Sequence, residues 1–235
     1  MLRSQQPNYV CERKFSGPAT ALERVAAILE GNCTPDDYFA EGFVNSIYFD
    51  TPGFSSYSEK ANGDNIKTKI RLRWYGRDAD LAQETPAYLE VKGRIGSARC
   101  KRRIKTSLPR ELLAAPGFDE PALRSFLISQ LGALAVPRPL DWRPVCRIAY
   151  SRLRYFDTPT FSRVSLDWNI RAERVNLLLF PAAQEPLALD TIVCEFKNHL
   201  GVPPAWAEEM RFAGLTYGSF SKYGEIMSRL LDDNN

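Results

Sequence analysis

Apolar and polar residues alternate with a period of two along much of the chain. In Lys67-Thr-Lys-Ile-Arg-Leu-Arg73 successive side chains of a β-strand would point to opposite faces. Lys67, Lys69, Arg71 and Arg73 then share one face, and Thr68, Ile70, Leu72 and Trp74 the other. The pattern predicts strands at about 8–15, 43–50, 66–75, 87–93, 98–106, 144–156, 161–172 and 188–197. Asp50-Thr-Pro-Gly53, Asn62-Gly-Asp64 and Gly93–Gly96 supply turns. Pro18 to Leu29 has apolar positions at helical spacing, with Pro at its start and Gly31 after its end. Leu108 to Leu134 predicts two helical pieces broken at Pro116-Gly117, and Pro203 to Leu231 two helices separated by Gly214–Ser219.

The polar phase of these strands is mostly Lys, Arg and Glu. Glu90, Lys92 and Arg94 share a phase, as do Arg99, Lys101, Arg103 and Lys105. Arg152 and Arg154, then Arg163, Ser165 and Asp167, continue the pattern. Glu195 pairs with Lys197, and Glu12 with Lys14. A row of like charges repels itself unless it faces a polyanion that offsets each cation. Antiparallel strands with one apolar and one enclosed charged face predict an α+β fold, a closed antiparallel β-barrel with helices packed outside.

The 235 residues, 44% apolar and 25% charged, are ordinary for a globular chain, and no repeat or linker divides it, so a single domain over 1–235 is expected. A net charge of +3 and the lack of aromatics interleaved with the basic rows argue against a nucleic-acid partner. Five scattered cysteines without a CxxC spacing predict a reduced, cytoplasmic protein without structural disulfides. No run is long and apolar enough for a bilayer, and no signal-peptide core is visible. The single histidine, His199, has no base partner in view, and zinc is not expected.

Several of these segments carry a family likeness in their order. Glu12-Arg-Lys14, Tyr48-Phe-Asp-Thr51, Lys69-Ile-Arg-Leu-Arg73 and Leu89-Glu-Val-Lys92 resemble the triphosphate tunnel (CYTH-like) superfamily. Tyr150-Ser-Arg152, Arg163-Val-Ser-Leu-Asp167, Cys194-Glu-Phe-Lys197 and Phe220-Ser-Lys-Tyr223 narrow the likeness to the vacuolar transporter chaperone (VTC) catalytic domain, the polyphosphate polymerase branch. The resemblance runs from about residue 8 to 227. It implies an eight-stranded antiparallel tunnel, a divalent metal (Mn2+ or Mg2+), and a triphosphate or polyphosphate held between basic residues. It also implies transfer of the terminal phosphate of ATP to polyphosphate. The hydrolase and cyclase branch begins with Glu-x-Glu-x-Lys, whereas this chain has Val10-Cys-Glu12-Arg-Lys14. The missing first acid disfavours simple triphosphate hydrolysis.

On that likeness Lys69, Arg71, Arg73, Lys92, Arg152 and Arg163 are the expected catalytic cations. Lys14, Lys101, Arg103, Lys197, Ser221, Lys222 and Tyr150 are expected to hold phosphate, because Arg and Lys donors match phosphate oxygens and keep their charge. Glu195 is the first candidate for the metal, with Glu12 and Glu90 as further candidates or as acids that orient neighbouring cations. Asp50 and Thr51 read as turn residues, and Tyr223 as a wall or phosphate contact. Lys67, Arg94, Arg99, Lys105 and Arg154 share the phase and are open to either a ligand or a solvated role. The competing readings are a triphosphatase or polyphosphatase, and a non-catalytic polyphosphate-binding module.

Overall fold

The computed structural model describes residues 11–64, 66–77, 82–96, 98–114, 118, 120–133 and 141–233. The strands are β1 (Cys11–Gly17), β2 (Thr34–Pro35), β3 (Glu41–Asp50), β4 (Ile66–Tyr75), β5 (Glu84–Ile95), β6 (Ala98–Pro109), β7 (Arg143–Asp157), β8 (Ser162–Val175), β9 (Leu187–Leu189), β10 (Ile192–Asn198) and β11 (Thr216–Tyr217). The helices are α1 (Leu22–Asn32), α2 (Ser55–Ala61), α3 (Arg110–Ala114), α4 (Glu120–Ala133), α5 (Glu209–Phe212) and α6 (Lys222–Asp232). The long elements lie where periodicity places them. The short ones, β2, α2, β9 and β11, span too few residues to show a period. The expected break at Pro116-Gly117 lies outside the described residues.

The fold is α+β and dominated by one sheet of eleven strands, ordered β11-β1-β10-β8-β7-β3-β4-β5-β6, with β2 on β7 and β9 on β8. The β1–β10, β1–β11, β10–β8, β2–β7, β3–β4, β4–β5 and β5–β6 ladders are antiparallel. Among the described residues no ladder joins β6 to β11, so the sheet is not closed and the expected closed eight-stranded barrel is not shown. A barrel removes its edges by pairing them. Here one edge is a two-residue strand and the other, β6, carries Lys101, Arg102, Arg103 and Lys105, which blunt an edge by length and by charge.

The chain divides into two compact units. Unit 1 comprises Met1–Gly42, Ser151–Ile170 and Asp190–Phe220; unit 2 comprises Phe43–Tyr150, Arg171–Leu189 and Ser221–Asn235. In unit 1, Val25 and Leu29 of α1, Trp206 and Ala207 of the turn before α5, and Met210 of α5 share a core with Phe15, Val164, Leu166, Cys194 and Phe196 from the strands. In unit 2, Leu123, Leu127 and Leu131 recur every four residues along α4, so they form one stripe. With Leu113 they share a core with Ile47, Phe49, Ile70, Leu72, Trp74, Ala87, Leu89 and Val91. Within each unit the helices thus occupy the apolar strand faces, leaving the charged phase on the other side.

All five cysteines are free. Burial pushes the Cys33 thiol up to about 12, which makes it an inert core side chain. No helix of the described residues is long and apolar enough to cross a membrane.

Candidate functional site

Strand register assembles the cations of unit 2. Lys69 stands opposite Lys92, and Lys92 opposite Lys101. One step along, Tyr48 stands opposite Arg71, Arg71 opposite Glu90, and Glu90 opposite Arg103. The next row is Ser46, Arg73, Tyr88 and Lys105. Like charges directly across a ladder are destabilising, and Lys69, Lys92 and Lys101 stand so in the first row; the three rows together hold seven cations and one acid.

Glu90 organises the middle row. Arg71 donates from Nε at 2.7 Å and lies 2.6 Å away through Nη2, both on Oε2, while Arg103 Nε is 3.4 Å from Oε1. Arg103 also lies over the Tyr88 ring at 3.7 Å. Burial works to raise the Glu90 carboxyl, but Arg71 and Arg73 outweigh it and hold it at about 2. Burial likewise opposes the Arg71 charge, and Tyr48 and Glu90 override it, so this guanidinium stays ionised at any working pH. Arg73 is 8% exposed and donates to two hydroxyls, Ser46 Oγ at 3.1 Å and Tyr150 at 3.2 Å.

The entry to α6 joins this cluster. Ser221 Oγ caps the helix by accepting from Gly224 N at 3.2 Å, and it also accepts from Lys69 Nζ at 3.0 Å. Lys222 Nζ lies 4.5 Å above the Tyr150 ring. Lys69 lies over two stacked rings, Tyr48 and Tyr223, whose centroids are 5.0 Å apart. Unit 2 therefore groups Lys69, Arg71, Arg73, Tyr150, Ser221 and Lys222 by direct contacts, and aligns Lys92, Lys101 and Arg103 by register.

Unit 1 carries a second cluster. Glu12 pairs with Lys197 and Lys14 with Glu195 across β1 and β10, while Lys197 and Glu195 stand opposite Arg163 and Ser165 of β8. Lys14 Nζ is 3.3 Å from Glu12 and 3.8 Å from Glu195, and Lys197 Nζ is 3.6 Å from Glu12 and also paired with Glu195. The four groups form a closed ring of alternating sign. Burial would raise the Glu195 carboxyl; Lys197 and Lys14 outweigh it and hold it low. Burial would lower Lys197, and Glu195 and Glu12 hold it up. Arg152 donates to both oxygens of Asp167, from Nε at 2.5 Å and from Nη2 at 2.7 Å, a bidentate pair. Arg163 is exposed and lines a crevice of about 230 Å³ with Thr34, Asp36, Asp37, Tyr155 and Phe156.

Among the described residues no group of three or more His, Cys, Asp or Glu side chains is placed to hold a metal. Glu12 and Glu195 are the one pair of candidate acids joined through shared lysines. All four of their oxygens are paired with Lys14 or Lys197, so a hard divalent cation, which takes one or two carboxylates and fills its shell with phosphate and water, would bind there by displacing an ammonium. Both oxygens of Glu90 are engaged likewise, by Arg71 and Arg103.

Two contacts escaped the sequence. Tyr48 shares the cation face, hidden because residues 44–50 of β3 are all buried and both phases look alike. Asp50 is fully buried and accepts from Thr51 N, Ser56 N, Tyr57 N and the Tyr223 hydroxyl, so it caps α2 and holds α6. The Asp50-Thr-Pro-Gly stretch was legible as a turn; the cap on α2 and the distant tyrosine were not.

The low Glu90 value sets an acid limit. A carboxylate held below its unfolded value stabilises the fold above that value, here 4.5, and loses this contribution as pH falls toward about 2. Thermal unfolding between pH 5 and pH 2 is therefore expected to fall more steeply for the wild type than for Glu90→Gln.

The VTC domain model matches residues 10–231. A comparison with curated proteins finds no match. Among solved structures the chain is similar to two putative adenylate cyclases. That from Bacillus halodurans is 13% identical, with 95% of this chain and 90% of the other covered and a TM-score of 0.44. That from Vibrio parahaemolyticus is 13% identical, with 95% and 99% covered and a TM-score of 0.44. With the family model spanning nearly every residue, from the strand that carries Glu12 and Lys14 to the end of α6, the chain belongs to the VTC domain family.

Proposed function

We propose that this protein is a metal-dependent phosphotransferase that lengthens polyphosphate with the terminal phosphate of ATP. The observation that carries this reading is the cation face of unit 2, where Lys69, Lys92 and Lys101 form one row and Arg71 and Arg73 fill the next two beside a single buried acid. Family membership supports it. In the reaction an oxygen of the terminal phosphate of the chain attacks the γ-phosphorus of ATP. The bond from that phosphorus to the β-phosphate oxygen breaks, ADP leaves, and the chain gains one phosphate.

Phosphoryl transfer asks a protein mainly for positioning and charge stabilisation. Arg71 and Arg73 would bind equatorial phosphate oxygens, since a planar fork matches them and needs no rearrangement. Lys69, Lys222 and Ser221 would hold the phosphates that do not react. Lys92, Lys101 and Arg103 would extend the same hold along β5 and β6. In unit 1, Lys14, Lys197, Arg152 and Arg163 would hold phosphate, and Glu195 with Glu12 would hold a Mn2+ or Mg2+ ion, which supplies charge neutralisation to a bound phosphate. Glu195→Gln is expected to lower ATP turnover about 10²-fold, and excess metal ion should recover part of it if the loss lies in metal affinity.

The test is incubation of the purified protein with ATP, with and without Mn2+, followed by phosphorus NMR. A growing polyphosphate signal with equimolar ADP supports synthesis. Free phosphate without polyphosphate makes the protein a hydrolase. Neither product, with ATP still raising the melting temperature, makes it a binding module.

A further inference from the structure

Tyr48 has no role in the reading above, and its surroundings give it one. It is 4% exposed. Its hydroxyl oxygen accepts from Arg71 Nη1 at 3.3 Å, so the named partner is itself a donor. Its ring stacks on Tyr223 at an interplanar angle of 16°, with Lys69 Nζ 6.0 Å from the ring centre. Around Tyr48, β4 presents three cations, Lys69, Arg71 and Arg73; α6 presents Tyr223, stacked on the ring, with Ser221 and Lys222 adjacent in sequence; β5 presents one acid, Glu90, bound to Arg71; and Tyr150 of β7 is bound to Arg73. On the same strand, Asp50 is committed to the start of α2 and to the Tyr223 hydroxyl. A phenol among three cations, with the nearby acids taken, is the group best placed to absorb the surplus positive charge of an empty site.

We propose that Tyr48 is a proton-linked phosphate contact: with the site empty its oxygen accepts from Arg71, and with a polyanion bound it takes up a proton from solvent and donates it to a phosphate oxygen. Burial works against ionisation of this phenol, yet Arg71, Arg73 and Lys69 outweigh it and bring the group down to about 8. A bound polyphosphate neutralises those cations. A phenolate would then face phosphate charge at short range, and protonation turns that repulsion into a hydrogen bond. One solvent proton is consumed for each ionised Tyr48, its O–H bond is the one bond formed, and the Tyr223 hydroxyl does not substitute because it donates to Asp50. The inference rests on the phosphate site proposed for unit 2.

The experiment titrates the protein with inorganic triphosphate near pH 8, following the near-ultraviolet phenolate band and, by calorimetry in two buffers of different ionisation heat, the protons taken up. The expected result is a phenolate band that disappears on binding, with uptake of roughly half a proton per site. In Tyr48→Phe, which keeps the stacked ring, both signals are lost and affinity falls about tenfold. Binding to the wild type without proton uptake overturns the inference and leaves the phosphate site standing. The same uptake in Tyr48→Phe overturns it equally. Absence of any triphosphate binding overturns both the site and the role of Tyr48.

Discussion

Replacing Arg71 by alanine is expected to lower phosphate transfer about 10³-fold and, separately, to destabilise the fold by about 3 kcal/mol. The two losses have different origins. Transfer falls because the guanidinium that would meet the developing charge is gone. Stability falls because Glu90, whose side chain is 5% exposed, loses the partner bound at 2.6 Å and keeps the longer contact to Arg103 at 3.4 Å. Removing one member of a buried pair leaves a stranded charge, whereas removing both does not. Arg71→Ala combined with Glu90→Ala should therefore recover most of the melting temperature and none of the activity. Arg71→Lys should keep the fold and still lose most of the rate, since an ammonium cannot replace a fork. A double variant that regained activity would show that Arg71 serves only to neutralise Glu90.

Asp50→Ala is expected to cost about 3 kcal/mol, the sum of a lost helix cap and a stranded tyrosine hydroxyl. For a chain of this size that lowers the melting temperature by roughly 6–12 °C. The carboxylate receives Thr51 N at 2.8 Å, Ser56 N at 2.9 Å and Tyr223 at 2.7 Å, with no exposure to water. Tyr223→Phe removes only the last of these and should cost about 1 kcal/mol. Because Tyr223 adjoins Lys222 and Ser221, the variant should also weaken triphosphate binding. A melting temperature unchanged in Asp50→Ala would show that the buried carboxylate is no net support to the fold.

Much of the fold and of the candidate site was legible because period-two alternation couples the two. The residues that make Ile70, Leu72 and Trp74 core are the residues that put Lys69, Arg71 and Arg73 together on the other face. The segments holding β4, β5, β6, β7 and β10 could be read for this reason, and so could their polar faces. Where both phases of a strand are buried, as in β3, alternation vanishes, and Tyr48 went unassigned. Closure of the sheet was not legible either. Alternation tells which face is apolar but says nothing about whether the first and last strands meet.

The strand segments, the helices with an apolar stripe and the identity of the cations that share a face follow from local geometry and could be read along the chain. The rest depends on how the whole chain packs. That packing set the strand order with β6 and β11 as open edges, the capture of Glu90 by Arg71 and Arg103, and the ring of Glu12, Lys14, Glu195 and Lys197. It also set the reach of Tyr223 to Asp50 across 173 residues of chain. These depend on which strands become neighbours and in what register, a choice made by packing of the whole chain and not by any one segment.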